Sequence, residues 1–146
     1  MSKDEDFSHS DKLIQHYDTI LKESALLSTF CGILFGFLLN MAVNSPDNFV
    51  LIDSITLIIA LYSITVAASL FVMPVVYHHL QYPYGDLNKF KVRSHRFIIL
   101  GLIPAAITLY LGLVLAIHAL IGSIESFILG SLPFILVYFL FLARKE

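Results

Sequence analysis

Apolar residues fall into four long uncharged runs, and charged residues are confined to the ends and to three connections. The runs cover about Ala25–Val43, Ser54–Tyr77, Phe97–Ile117 and Phe127–Ala143. A helix needs roughly 17–25 apolar residues to cross the hydrocarbon core, so each run is long enough, the last narrowly. In lipid a segment must satisfy its own backbone hydrogen bonds, which makes helix the state expected of every run. The alternative, four fully buried helices of a water-soluble protein, would leave no polar shell to cover them in a chain of 146 residues. The pattern therefore predicts an all-α membrane protein, a four-helix transmembrane bundle occupying residues 25–146.

The first 24 residues read differently. Residues 1–9 are short on apolar side chains and are expected to be disordered. Residues 10–24 carry Leu13, Ile14, Tyr17, Ile20 and Leu21 at helical spacing with charges between them. Ser10 is a candidate N-cap, with Asp11 beside it at the positive end of the helix dipole. This segment predicts an amphipathic helix lying at the membrane interface. The other reading is a direct extension of the first span, since no Gly or Pro interrupts the chain before Gly32.

Asn44-Ser45-Pro46-Asp47-Asn48 joins the first two spans with turn-forming residues, and a segment from His118 to Ser126 containing Gly122 joins the last two. Such short links predict two antiparallel hairpins. The middle connection, His78 to Arg96, is longer, with a turn expected at Pro83-Tyr84-Gly85-Asp86. Pro74 is expected to end or bend the second span. Pro104 and Pro133, deeper in theirs, are expected to kink them. Asp53 and Glu125 are candidates for capping the second and fourth helices.

Charge fixes the expected orientation. All nine Lys and Arg residues lie in the N-terminal segment, the middle connection or the C-terminal tail. The other two connections hold only acids, Asp47, Asp53 and Glu125. By the positive-inside rule both termini and the middle connection are cytoplasmic, and three or five spans would scatter this distribution. Tyr77, Tyr82, Tyr84, Phe90 and Phe97 gather where an interfacial aromatic belt is expected. The N-terminus opens with mostly acidic residues, so it lacks the basic start of a secretory signal and is expected to be retained. Overall, 58% of residues are hydrophobic and 14% charged, with a net charge of −2, which argues against nucleic-acid binding. Cys31, the single cysteine, cannot form an internal disulfide.

Small and polar residues mark candidate helix contacts. Ser28, Gly32, Gly36 and Asn40 repeat every four residues in the first span, and Thr108, Gly112 and Ala116 do so in the third. Ala60, Ser63 and Ala67 offer a similar face on the second. Small residues let membrane helices approach closely, so these faces are expected to meet inside the bundle. The bland alternative is that Gly and Ala are simply frequent in such helices.

No Asp, Glu, Lys or Arg falls in the middle of a span, and ion-coupled pumps and proton relays usually require such groups. The polar groups at depth are Asn40, Tyr62, Tyr110 and His118, all in the expected outer half. They form either a shallow polar pocket or a set of separate interhelical hydrogen bonds. Lys89, Lys91, Arg93 and Arg96 suit anionic lipid headgroups, although part of that patch is what sets topology. His78, His79 and His95 are the candidate metal ligands. Their spacing matches no metal motif and no cysteine assists them, so neither metal nor cofactor is expected. No nucleophile elbow, phosphate loop or metalloprotease signature is present, and an enzyme is not expected.

Three segments carry a family resemblance. Glu23-Ser24-Ala25 through Ile33-Leu34-Phe35-Gly36-Phe37-Leu38-Leu39 resembles the opening helix of the prokaryotic domain-of-unknown-function family 6328. Met73-Pro74-Val75-Val76-Tyr77-His78-His79 resembles that family's apolar-Pro-Val-x-x-His segment, with His79 where the family often has Arg. Phe97-Ile98-Ile99-Leu100-Gly101-Leu102 is similar to the start of its third span. The resemblance implies a small four-span bacterial or archaeal membrane protein and supplies no activity.

The residues thus predict a non-enzymatic structural or accessory membrane protein, in contact with membrane lipids and packing in a homo-oligomer or as a subunit of a larger complex. The alternatives are a small transporter or channel component, and a lipid- or metal-binding sensor using residues 78–96. Reporter domains fused to either terminus are expected to read cytoplasmic, and one inserted at Asp47 external. A terminus found outside would refute the arrangement.

Overall fold

The computed structural model describes residues 3–81, 87–121 and 125–144. They form four α-helices: α1 Lys3–Val43, α2 Leu51–Gln81, α3 Leu87–Ile121 and α4 Glu125–Ala143. Each holds a stretch long and apolar enough to cross a membrane: Asp18–Val43, Leu51–Leu80, Lys89–Ile121 and Glu125–Ala143. The chain is an all-α, multi-pass membrane protein. The turn expected at Pro83–Asp86 and the glycine at position 122 lie outside the described residues.

Of the two readings of residues 10–24, a separate surface helix or an extension of the first span, the structure has α1 continuous from Lys3 to Val43, with Ser10 internal to it. At 1.5 Å per residue its 41 residues extend about 60 Å, twice the hydrocarbon thickness of about 30 Å. The absence of Gly and Pro before Gly32 leaves nothing to end the helix at the membrane boundary. Pro74 does not end α2 either; the helix continues to Gln81 and Pro74 is fully buried.

Contacts group the chain into two units, residues 1–33 with 65–104, and residues 34–64 with 105–146. Along the helices the buried positions follow a repeat near 3.5 residues. In α2, Asp53, Leu57, Ala60, Ile64, Ala67, Phe71 and Pro74 are buried, alternating four and three apart, with Thr56 buried beside Leu57. In α1, Ser24, Cys31 and Leu38 are buried at intervals of seven. This is the seam spacing of helices that pack side by side with a small left-handed crossing.

Phe71 organises the first unit. A Cβ added at Gly101 of α3 would lie 2.6 Å from Cε1 of its ring, so only glycine admits this approach. The Ser24 hydroxyl of α1 donates to the Phe71 carbonyl. That carbonyl sits in the turn weakened by Pro74, which lacks the N–H that would serve Leu70. Membrane helices tolerate proline where a neighbouring Ser or Thr supplies polar contacts of this kind.

In the second unit α3 touches the other three helices. Thr108 Oγ1 donates to the Ala60 carbonyl of α2 at 3.3 Å. Gly112 faces Leu38 of α1, whose Cδ2 would stand 3.9 Å from an added Cβ. Gly130 of α4 fits against Val114, whose Cγ2 would stand 2.7 Å from one. The small face expected on α3 therefore does pack, at Thr108 and Gly112.

Its expected partner does not. Gly32 and Gly36 are exposed, and a Cβ on either would meet nothing within 4 Å. Asn40 is exposed as well, and Ser28 is only half-buried. Gly32 follows the buried Cys31 by one position, which is about 100° around the helix. In this unit α1 presents Leu34, Phe37 and Leu38 to Thr108, Gly112 and Ala116, leaving a hollow of ≈230 Å³. Larger side chains of one helix thus meet small ones of the other.

Gly101→Leu is expected to destabilise the protein by about 1–3 kcal/mol through overpacking against Phe71. Gly36→Leu, facing open space, is expected to change the stability of the folded monomer by less than about 0.5 kcal/mol. Thermal unfolding of the two variants in the same detergent checks both.

Candidate functional site

The four polar residues expected to share a pocket do not converge. Asn40 accepts at Oδ1 from Asn44 Nδ2 at 2.9 Å, and its carbonyl accepts from the Asn44 N–H, so it belongs to the end of α1. Tyr62 is 73% exposed on α2. Tyr110 is half-buried, meeting the Phe127 carbonyl at 3.5 Å and the edge of Phe134. His118 alone faces another polar side chain, with Nε2 3.4 Å from Oδ2 of Asp53. These four residues have different surroundings and do not share a site.

His118 and Asp53 belong to a clasp that residue spacing alone does not reveal, being 65 positions apart. Asp53 lies in the first turn of α2 and is 2% exposed. Its Oδ2 accepts from the Val50 N–H at 2.9 Å, while its own N–H donates to the Val50 carbonyl at 3.0 Å. That is one arm of a capping box, the acid reaching back to the N–H of the residue before the helix, while Val50 has no side-chain acceptor to supply the other. Asp53 thus caps α2, as the sequence predicts. The carboxylate complements the positive end of α2, and His118 sits in the last turn of α3. Asn48 Nδ2 approaches the carbonyls of His118 and Ala119 at 3.4 and 3.5 Å, among the four carbonyls that α3 cannot bond internally. Three side chains therefore close the facing ends of α2 and α3. The arrangement holds a helix boundary together.

At the other ends of these helices the four expected headgroup cations separate. All are exposed. Arg93 donates from Nη1 to the Tyr77 hydroxyl at 2.8 Å, with its guanidinium 5.7 Å from the ring centroid. Tyr77 in turn stacks on Phe90 at 5.7 Å, forming part of the expected aromatic belt. Lys91 and Arg96 instead line a hollow of ≈410 Å³ with Val92 and His95 of α3 and Thr19, Ile20 and Glu23 of α1. Thr19 and Glu23 of this set carried no signal in the sequence, because they lie far from the basic segment.

The histidines do not assemble either. His79 Nδ1 is 2.9 Å from the Val75 carbonyl one turn back, and His78 meets His79 edge-on. His95 lines the hollow. Among the described residues no three His, Cys, Asp or Glu side chains form a group able to hold a metal.

Four spanning helices, tied by caps and backbone-directed hydroxyls, define a small polytopic α-helical membrane protein. The chain belongs to the family of unknown function DUF6328, whose family model matches residues 6–144. No curated protein matches the chain. No solved structure matches it either. The resemblance carried by three segments thus extends over nearly the whole sequence.

Asp53→Ala leaves the Val50 N–H and His118 without their acceptor and is expected to cost about 1–3 kcal/mol. His118→Ala, which leaves the cap intact, is expected to cost less. A double-mutant cycle on thermal midpoints measures their coupling, and strict additivity would show that the two side chains do not act together.

Proposed function

We propose that this protein is a non-enzymatic structural or accessory membrane component that packs against a second copy of itself or against a larger membrane complex. The observation that carries this reading is the open face of α1. Gly32 and Gly36 form a small-xxx-small pair with nothing opposite. In lipid, where no hydrophobic force drives helices together, such a face is the usual means of close helix association. The distribution of burial agrees. Within the apolar windows of α1 and α4 only 11% of residues are buried, against 33% in α2 and α3. The outward helices thus retain most of their surface for lipid or protein.

The absence of charge from the middle of the spans supports a scaffold over a pump. Buried hydroxyls such as Ser24 and Thr108 are directed at backbone carbonyls, as in a packing role. A transporter or channel component would need polar groups that share a path, and Asn40, Tyr62, Tyr110 and His118 do not supply one. The one-sided placement of all nine basic residues supports cytoplasmic termini and a cytoplasmic middle connection. A prokaryotic cell membrane suits the chain, with lipids as its constant neighbours and no role for nucleic acid.

Purification in mild detergent with light scattering tests this reading. The wild-type chain is expected as an oligomer or with a co-purifying membrane protein, and Gly36→Leu is expected to release it as a folded monomer. A wild-type monomer without a partner, both in detergent and after cross-linking in native membranes, would overturn the proposal.

A further inference from the structure

The hollow between α1 and α3 in the first unit has features that neither helix packing nor topology requires. Thr19, Ile20 and Glu23 line it from one face of α1, and Lys91, Val92, His95 and Arg96 from one face of α3. Its volume, ≈410 Å³, lies within the roughly 300–1,000 Å³ typical of small-molecule sites. The cations are not consumed by the protein. Among the described residues no ion pair joins Lys91 or Arg96 to Glu23 or to any other acid. Arg93, by contrast, is held by Tyr77.

Depth narrows the ligand. Glu23 and Arg96 stand immediately before the uncharged runs that begin at Ala25 and Phe97. The candidate spans themselves begin at Asp18 and Lys89. Both walls of the hollow are therefore at the level where lipid phosphates meet the hydrocarbon. Lys91 and Arg96 against the single carboxylate of Glu23 leave one excess positive charge, with His95 counted neutral. That excess matches one phosphodiester. The guanidinium fork of Arg96 suits phosphate oxygens, and the Glu23 carboxylate can accept hydrogen bonds from a hydroxylated headgroup. Ile20 and Val92 give the hollow an apolar wall toward which an acyl chain can lead.

We propose that the hollow formed by Thr19, Ile20, Glu23, Lys91, Val92, His95 and Arg96 is a binding site for one anionic glycerophospholipid of the phosphatidylglycerol type. Lys91 and Arg96 hold the phosphodiester, and Glu23 takes the headgroup hydroxyls. The site is distinct from the helix face invoked for self-association, and a monomer can hold the lipid equally well.

The full chain in neutral detergent, titrated with short-chain phosphatidylglycerol and followed by native mass spectrometry and thermal shift, tests the assignment. Saturable binding of one lipid per chain is expected, with phosphatidylcholine of equal chain length and inorganic phosphate both binding at least about tenfold more weakly. Arg96→Gln is expected to weaken phosphatidylglycerol binding about tenfold, as loss of a charge-assisted hydrogen bond implies. Lys89→Gln removes the same charge outside the hollow and is expected to change binding less than about twofold. Arg96→Lys, retaining the charge but not the fork, is expected between the two. If Arg96→Gln does not fold, Lys91→Gln carries the same comparison. Equal losses from Lys89→Gln and Arg96→Gln would reduce the effect to diffuse surface attraction and overturn the site. So would equal binding of phosphatidylcholine, and inorganic phosphate binding as tightly as the lipid would overturn the lipid assignment.

Discussion

In a bilayer an apolar side chain gains little by leaving lipid for another helix, so the helices of this protein must hold together by close approach and by polar contacts. Phe71 shows how both are met at one residue. Its ring occupies a notch that exists only because residue 101 of α3 is glycine, and its carbonyl receives the buried hydroxyl of Ser24 from α1. A bulkier residue at 101 would displace the ring, and a non-polar residue at 24 would leave that carbonyl without its second donor. The same economy recurs in the second unit, where Thr108 reaches the Ala60 carbonyl and Gly130 admits Val114. Hydrogen bonds of this kind contribute only about 0.6 kcal/mol each on average in membrane proteins. Shape therefore carries more of the specificity than polarity does.

That balance explains what could be read from residues alone. Helix number and type were legible because the backbone permits no other state over four long apolar runs, and Asp53 was legible as a cap because its position beside the second run has local meaning. Helix faces were not. Where every side chain is apolar, the contrast that marks the inward face of a soluble helix vanishes, and residue size replaces it as the signal. Thr108 and Gly112 face α2 and α1, whereas Gly32 and Gly36 meet nothing and the buried line of α1 is Ile20, Ser24, Cys31 and Leu38. Small residues report a capacity for close approach, not whether the approaching helix belongs to the same chain. The contact of His118 with Asp53, and the meeting of Glu23 and Thr19 with Lys91 and Arg96 around one hollow, needed the three-dimensional arrangement because each joins residues at least 65 positions apart.

The polar chemistry of the chain is concentrated at its helix ends, and the two ends of α2 and α3 use it differently. Near Asp53 the acid, the imidazole Nε2 and the Asn48 amide are turned inward on helix termini, while His118 Nδ1 is buried without a partner. Near Arg96, by contrast, Lys91, Arg96 and Glu23 line one hollow as exposed side chains, and among the described residues no ion pair joins them. Such an arrangement makes physical sense when a third charged group completes it. In the proposed site that group is a lipid phosphate, drawn by the same one-sided basic charge from which the positive-inside rule predicts the orientation of the chain.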